Sequence, residues 1–153
     1  MGLRIFGSIF SLMTKSKINN LLIDNKFFSL AIDQGTSLKN IIKEKKEDFV
    51  EEDYFNFKKH IILNTSDYVS SILFDYQTFD SDYAFKKLKV PKIIAYEDDA
   101  YNIDNLDMIT KLPTNNFDHK LNEFSALKFF MYFNPDSNSE INNKKKILIS
   151  KVG

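Results

Sequence analysis

One lysine and three carboxylates stand at positions of this sequence where charged side chains are informative. Lys128 lies inside the apolar segment Ser125–Phe133, and burying an unpaired ammonium is costly. Asp33, Asp75 and Glu97 each end a shorter apolar segment. A neighbouring carboxylate or phosphate would make the burial of Lys128 tolerable, and these acids could supply the carboxylate. The spacing therefore indicates a polar site built from one amine and several acids.

Structural roles for the same residues remain open at this point. Lys128 could reach solvent from near a strand end, or lie on an exposed strand face. Asp33 and Asp75 could cap the helices or turns that follow their strands. The residue types alone do not decide between a ligand site and these roles.

The elements that would position these residues alternate between two hydrophobic patterns. Short apolar runs rich in β-branched and aromatic residues predict buried strands near 28–33, 68–75, 92–97 and 125–133. Helical patterns predict helices at 37–47, 52–62, 83–88, 117–124 and 139–152, with a further helix over 15–23 covering one end. Strands that alternate with helices are typical of parallel βαβ units, so the predicted fold class is α/β.

Side chains alternate across a strand with a period of two, which separates two faces of the predicted sheet. One face is largely apolar and suits packing against helices. The other face has smaller residues and carries all the charged candidates, namely Asp33, Asp75, Glu97 and Lys128. Three of the four lie at the carboxyl ends of strands, where parallel α/β sheets place their ligand sites.

Length and composition limit the possible functions. The chain has 153 residues, of which 43% are hydrophobic, so a core can form, whereas a whole (β/α)8 barrel usually needs about 250 residues. Basic and acidic residues number 21 each, and zero net charge argues against a dedicated nucleic-acid binder. Cysteine is absent, which excludes thiolate metal sites, and His60 and His119 are predicted to lie on the surface. No metal and no cofactor are expected.

Residues 1–12 are predicted to form an N-terminal extension to a domain that spans 13–153. The apolar run at 5–12 is interrupted by Gly7 and is too short to span a membrane, which takes about 20 residues. No small-residue cleavage site follows it. A weak targeting peptide stays an alternative, and Met13 could be the natural start. We expect a cytoplasmic protein without membrane contact.

Four segments, in the correct order, resemble successive strands of the class I tagatose-1,6-bisphosphate aldolase family and, more distantly, of sulfofructosephosphate aldolases. They are Leu30–Gln34 with its Asp-Gln pair, Tyr68–Asp75, Ala95–Glu97 followed by Tyr101, and Ala126–Tyr132 followed by Asp136 and Glu140–Asn142. The resemblance runs from about Met13 to Gly153, which is nearly the whole chain. It implies the N-terminal (βα)4 half of a TIM (β/α)8 barrel.

The resemblance also implies a lyase that cleaves a carbon–carbon bond through a Schiff base. Tagatose 1,6-bisphosphate, or a similar phosphorylated sugar, would give dihydroxyacetone phosphate and glyceraldehyde 3-phosphate. Asp33 is then expected to contact the substrate and handle protons. Lys128 is expected to bind a substrate oxygen and to lower the pKa of the nucleophile. Gln34, with Glu97 and Asp75 as further candidates, is expected to bind substrate.

Two departures from the family pattern bear on activity. Gly35 follows the Asp-Gln pair where the family usually has arginine, which removes a guanidinium from the rim of the site. The family's Schiff-base lysine belongs to the sixth strand, so Lys128 is not that nucleophile by position, and the chain alone is expected to be inactive.

Three hypotheses therefore stay open. The first is an incomplete aldolase, of the tagatose-bisphosphate or the sulfofructosephosphate type. The second is a non-catalytic half-barrel with unpaired edges at its first and fourth strands, which associates with itself or with a separate C-terminal half. The third is a small-molecule binding or regulatory module that performs no chemistry.

Overall fold

The computed structural model describes residues 9–10, 19–98, 107–113 and 121–152. Its strands, numbered here in chain order, are β1 (Ile9–Phe10), β2 (Leu22–Ile23), β3 (Lys26–Phe27), β4 (Ser29–Ala31), β5 (Ser71–Phe74), β6 (Lys92–Ala95) and β7 (Ala126–Phe129). Its helices are α1 (Thr36–Lys45), α2 (Glu51–Thr65), α3 (Tyr76–Ser81), α4 (Tyr83–Lys87) and α5 (Ser139–Val152), and Ser66–Tyr68 forms a 3-10 turn.

Four strands form the parallel sheet that the alternating pattern predicts. The larger sheet has the order β1–β7–β6–β5–β4. Strands β4, β5, β6 and β7 run parallel, with Leu73 opposite Ile93 and Ala95 opposite Lys128. Helices α1 and α2 lie between β4 and β5, and α3 and α4 lie between β5 and β6, so the predicted α/β class is confirmed. Closure into one half of a barrel stays a prediction.

Strand β1 pairs with the outer edge of β7 in the antiparallel direction. Ile9 lies opposite Phe129, and Phe10 lies opposite Lys128. The expectation of an unpaired edge at the fourth predicted strand is therefore wrong, because a segment of residues 1–12 supplies a partner for its backbone groups. The boundary between an extension at 1–12 and a domain at 13–153 stays a prediction.

The predicted helix over 15–23 is wrong at its carboxyl end. Strands β2 and β3 form an antiparallel hairpin whose turn residues, Asp24 and Asn25, have φ values of 50° and 61°. Two successive residues with positive φ define the type I′ turn that joins short hairpins, and Asp and Asn tolerate this conformation. Residues 15–18 lie outside the described residues.

The predicted helix over 117–124 differs as well. Residues 121–123 form a single 3-10 turn, while residues 117–120, and with them His119, lie outside the described residues, as does Tyr101. The predicted short helix at 83–88 is present as α4. Helix α3, immediately before it, was not predicted, although Asp75 and Asp82 cap the two helices.

Two hydrophobic clusters lie on opposite faces of the sheet. The larger one packs strand residues against helices, and its fully buried members include Ile72, Phe74, Phe79, Phe85 and Ile94. The smaller one consists of Leu21, Ile93 and Ala126 with Leu73 against it. Because Ile93 and Ile94 are adjacent in β6, the two clusters follow the period-two alternation that the sequence predicted.

Candidate functional site

Lys128 lies on β7 between two of the acidic residues that the sequence singled out. Its Nζ is 2.8 Å from Asp33 Oδ2 and 2.8 Å from Glu97 Oε1. The Lys128 and Asp33 side chains are each 12% exposed, and that of Glu97 is 4% exposed. Because β4 and β6 end just before these acids, the group, which we call the Lys128 cluster, stands at the carboxyl ends of the parallel strands. The lysine is charge-paired, as its burial requires.

Glu97 is the most buried member of the Lys128 cluster. Its Oε2 accepts a hydrogen bond from Phe130 N at 3.2 Å, so both carboxylate oxygens have donors. Burial raises the pKa of Glu97, while the hydrogen bond and the charge of Lys128 oppose the rise.

Residues 107–113 cross the ends of β6 and β7 beside this cluster. Asp98 N donates to Lys111 O at 2.9 Å, and Thr110 Oγ1 donates to Phe130 O at 3.0 Å. Thr110 is only 3% exposed. This crossing segment, to which the sequence assigned no role, thus fixes the backbone of Phe130, whose amide in turn holds Glu97.

Gln34 and Gly35 follow Asp33 at the rim of the site. The Gln34 side chain is exposed, and its backbone oxygen accepts a hydrogen bond from Tyr54 Oη at 2.8 Å. Gly35 is the N-cap residue of α1, and a Cβ added there would meet no atom within 4 Å. The rim is therefore open at the position where the family pattern has arginine.

Asp75 has different neighbours from the Lys128 cluster. It is the N-cap of α3, where its Oδ1 accepts from Thr78 N at 2.8 Å and its Oδ2 from Thr78 Oγ1 at 2.6 Å. Lys58 Nζ, from α2, also donates to Oδ2 at 2.6 Å. The structure gives Asp75 the capping role that the sequence had left open, and contact between Asp75 and a substrate stays a prediction.

Lys58 is a buried cation that the sequence analysis missed. Its side chain is fully buried, donates to Thr78 Oγ1 at 2.9 Å and places Nζ 4.5 Å from the centre of the Tyr54 ring. Burial lowers the pKa of Lys58, and the charge of Asp75 opposes this. A signal was present in the sequence: Tyr54, Lys58 and Ile62 recur every four residues and form the buried stripe of α2.

The described residues offer little for other kinds of site. No group of three or more His, Cys, Asp or Glu side chains among them could hold a metal ion. His60 is exposed on α2. In the same part of the chain, no helix combines the length and the apolar character that crossing a membrane requires.

Comparison with known proteins confirms the resemblance to tagatose-bisphosphate aldolases, although no protein-family model matches the chain. Tagatose 1,6-diphosphate aldolase 2 of Enterococcus faecalis is 27% identical over 127 residues, which cover 82% of this chain and 38% of that protein. Tagatose 1,6-diphosphate aldolases of Listeria monocytogenes and Listeria innocua are 28% identical over 149 residues, which cover 92% of this chain and 44% of theirs.

The chain therefore spans less than half the length of these curated relatives. The coverage agrees with the expected N-terminal half of such a protein.

Proposed function

We propose that the Lys128 cluster is part of the site of a class I aldolase that cleaves tagatose 1,6-bisphosphate or a similar ketose bisphosphate. The observation that carries the proposal is the position of Lys128, paired with Asp33 and Glu97 at the carboxyl ends of parallel strands. Parallel α/β folds place their ligands at this edge. The names of the curated relatives supply the reaction class.

In the proposed reaction, an amine attacks the ketose carbonyl and expels its oxygen as water to form an iminium ion. A base then takes the proton of the C4 hydroxyl, and the C3–C4 bond breaks; its electron pair moves into the iminium to give an enamine, and C4 leaves as the aldehyde carbon. The products are dihydroxyacetone phosphate, once the enamine is protonated and hydrolysed, and glyceraldehyde 3-phosphate. The nucleophilic lysine is expected on a sixth strand of the barrel that the resemblance implies.

The residues of this chain would bind and polarise the substrate. Asp33 would contact a substrate hydroxyl and exchange its proton, because Lys128 contacts its Oδ2 rather than its Oδ1. Lys128 would donate to a substrate oxygen, and its positive charge would lower the pKa of a nearby nucleophilic amine. Glu97 and the exposed Gln34 side chain would supply further contacts to hydroxyl groups.

Binding to the isolated chain tests this proposal. We expect dihydroxyacetone phosphate to shift NMR signals of residues around Lys128. Lys128→Met should abolish those shifts because it removes the donor, whereas Lys144→Met, at an exposed position of α5, should preserve them. Wild-type chain that shows no saturable shifts, or a Lys128→Met variant that binds normally, would contradict the proposal.

Borohydride trapping separates catalysis from binding. We expect no reduced adduct with dihydroxyacetone phosphate on this chain alone, because Lys128 is held between two acids and does not act as the nucleophile. An adduct on Lys128 would show that the assignment of the nucleophile is wrong. Binding without any turnover, even beside a complementary half, would favour a regulatory module, and a preference for sulfofructose 1-phosphate would favour the alternative substrate.

A second candidate function is association as a non-catalytic half-barrel. Within the described residues β4 pairs only with β5. Beside this free edge, Ile23, Phe27 and Phe28 are 49%, 51% and 62% exposed. An open strand edge next to exposed apolar side chains favours contact with a second copy or a separate C-terminal half.

A further inference from the structure

The short connection from β4 to α1 carries Asp33. Among the described residues, few hydrogen bonds join this connection to the sheet. The last hydrogen bond between this stretch and the sheet is Ile32 N to Leu73 O, at 3.0 Å. Beyond it, the Asp33 carboxylate is bound by Lys128. The next anchor is a side chain from another helix: Tyr54 Oη donates to the Gln34 carbonyl at 2.8 Å.

Tyr54 is buried between two cations. It is 2% exposed, and two ammonium groups lie over its ring, Lys58 Nζ at 4.5 Å and Lys39 Nζ at 5.0 Å from the ring centre. Each lysine is fixed in turn, since Lys39 pairs with Glu51 and Lys58 with Asp75. Cations over an aromatic face are attracted to it, most strongly where water is excluded.

We propose that Tyr54 is a positioning residue for the candidate site: its hydroxyl holds the Gln34 carbonyl and thereby keeps the Asp33 carboxylate facing Lys128. The inference rests on the proposed function for its effect on ligand affinity, but not for its effect on the backbone. It connects the buried Lys58, which the aldolase proposal leaves without a role, to the Lys128 cluster.

The chemistry of the hydroxyl supports this role. Burial raises the pKa of Tyr54 above its ordinary value. The hydroxyl therefore stays protonated at neutral pH and remains a donor. The Gln34 carbonyl lies before the first turn of α1 and is 20 residues from Tyr54 in sequence, so the bond ties α2 to the connection after β4.

Tyr54→Phe removes a single oxygen and keeps the ring beneath both lysines. We expect amide hydrogen exchange at Ile32 and Lys39, whose N–H groups donate to Leu73 O and Gly35 O on either side of this connection, to accelerate by roughly two- to tenfold, the equivalent of one hydrogen bond. The central strands, at Ile72 and Ile94, should change little. Affinity for dihydroxyacetone phosphate should fall by a similar factor. Tyr83→Phe, at a position that is 67% exposed, is the matched control and should change neither quantity.

The outcomes distinguish this inference from the proposed function. Unchanged exchange at Ile32 and Lys39 in a folded Tyr54→Phe variant would overturn the positioning role, whatever the wild-type chain binds. Faster exchange in Tyr54→Phe would support the positioning role. If the wild-type chain at the same time binds no ligand, that second result would contradict the proposed function alone.

A measurement on the wild-type chain covers the case in which Tyr54→Phe does not fold. The Tyr54 hydroxyl proton should give a resolved NMR signal with a contact to residues 34–35. A hydroxyl that exchanges with water too fast to be seen, while the surrounding core amides are protected, would overturn the inference.

Discussion

At the scale of single residues, the buried ammonium groups of Lys128 and Lys58 differ in the groups that they bind. Lys128 is held by two acids, whereas Lys58 is held by Asp75 and the Thr78 hydroxyl. Asp75 would keep both Thr78 donors if Lys58 were removed, and its side chain is 20% exposed. Lys58 would lose the carboxylate that holds its ammonium if Asp75 were removed.

The two partners of the Lys58–Asp75 pair should therefore respond unequally to mutation. We expect Asp75→Ala to lower the free energy of unfolding by about 3–5 kcal/mol, because it leaves an ammonium buried without its counter-charge. Lys58→Met, close in shape and apolar, should cost less than about 1.5 kcal/mol. Urea denaturation measures both, with Lys59→Met on the same helix as control, and equal losses for the two variants would contradict this asymmetry.

The sequence predicted the neighbours of Lys128 better than it predicted the neighbours of Asp75. Asp33, Glu97 and Lys128 were placed on one face by alternation, and the structure brings their charged groups within hydrogen-bond distance. The same alternation put Asp75 on that face, but β5 ends at Phe74, and the backbone then turns to start α3. Lys58 was missed because lysine on a helix is ordinarily taken as a solvent-facing residue.

At the scale of elements, the long apolar runs were predictable and the two-residue strands were not. Runs such as the one that contains β5 carry enough residues to show a period. Strands β1, β2 and β3 each span two residues, too few for any period, and their pairing depends on contacts far along the chain or on the Asp24–Asn25 turn. These short strands therefore depend on tertiary contacts and could not be predicted from local sequence patterns.

The crossing segment 107–113 provides a test at this scale. Thr110→Val removes the hydroxyl that donates to the Phe130 carbonyl and keeps the branched shape. We expect a loss of about 1 kcal/mol in the free energy of unfolding and faster amide exchange in residues 107–113. Thr36→Val, at an exposed position of α1, serves as control, and a Thr110→Val variant with unchanged exchange would show that the segment is held by other contacts.

At the scale of the whole molecule, the described sheet has one covered edge and one free edge. The free edge at β4 lies beside the exposed side chains of Phe27 and Phe28. We expect the 17.9 kDa chain to self-associate with rising concentration in sedimentation velocity. Phe28→Lys should weaken this association because it places a charge beside the edge, while Ile147→Lys, on an exposed position of α5, should not.

A chain that stays monomeric at every concentration would count against association through β4. Association that Phe28→Lys leaves unchanged would place the contact elsewhere. Either result would leave the Lys128 cluster and its ligand test unaffected, since the charged groups of that cluster lie at the carboxyl ends of the strands.

Because β1 pairs with β7 in the antiparallel direction, any other strand that bound to this edge of the sheet would have to displace β1. A strand delivered by a helical crossover would arrive parallel to β7, and it cannot share the edge with Ile9 and Phe10. Each ladder hydrogen bond of β1 contributes only about 0.5–1.5 kcal/mol, and about 1.4 kcal/mol corresponds to a tenfold change in affinity. The N-terminal segment of the chain is therefore a weak intramolecular competitor for the edge of β7. A segment that adds to the sheet at this edge must bind more tightly than β1 does.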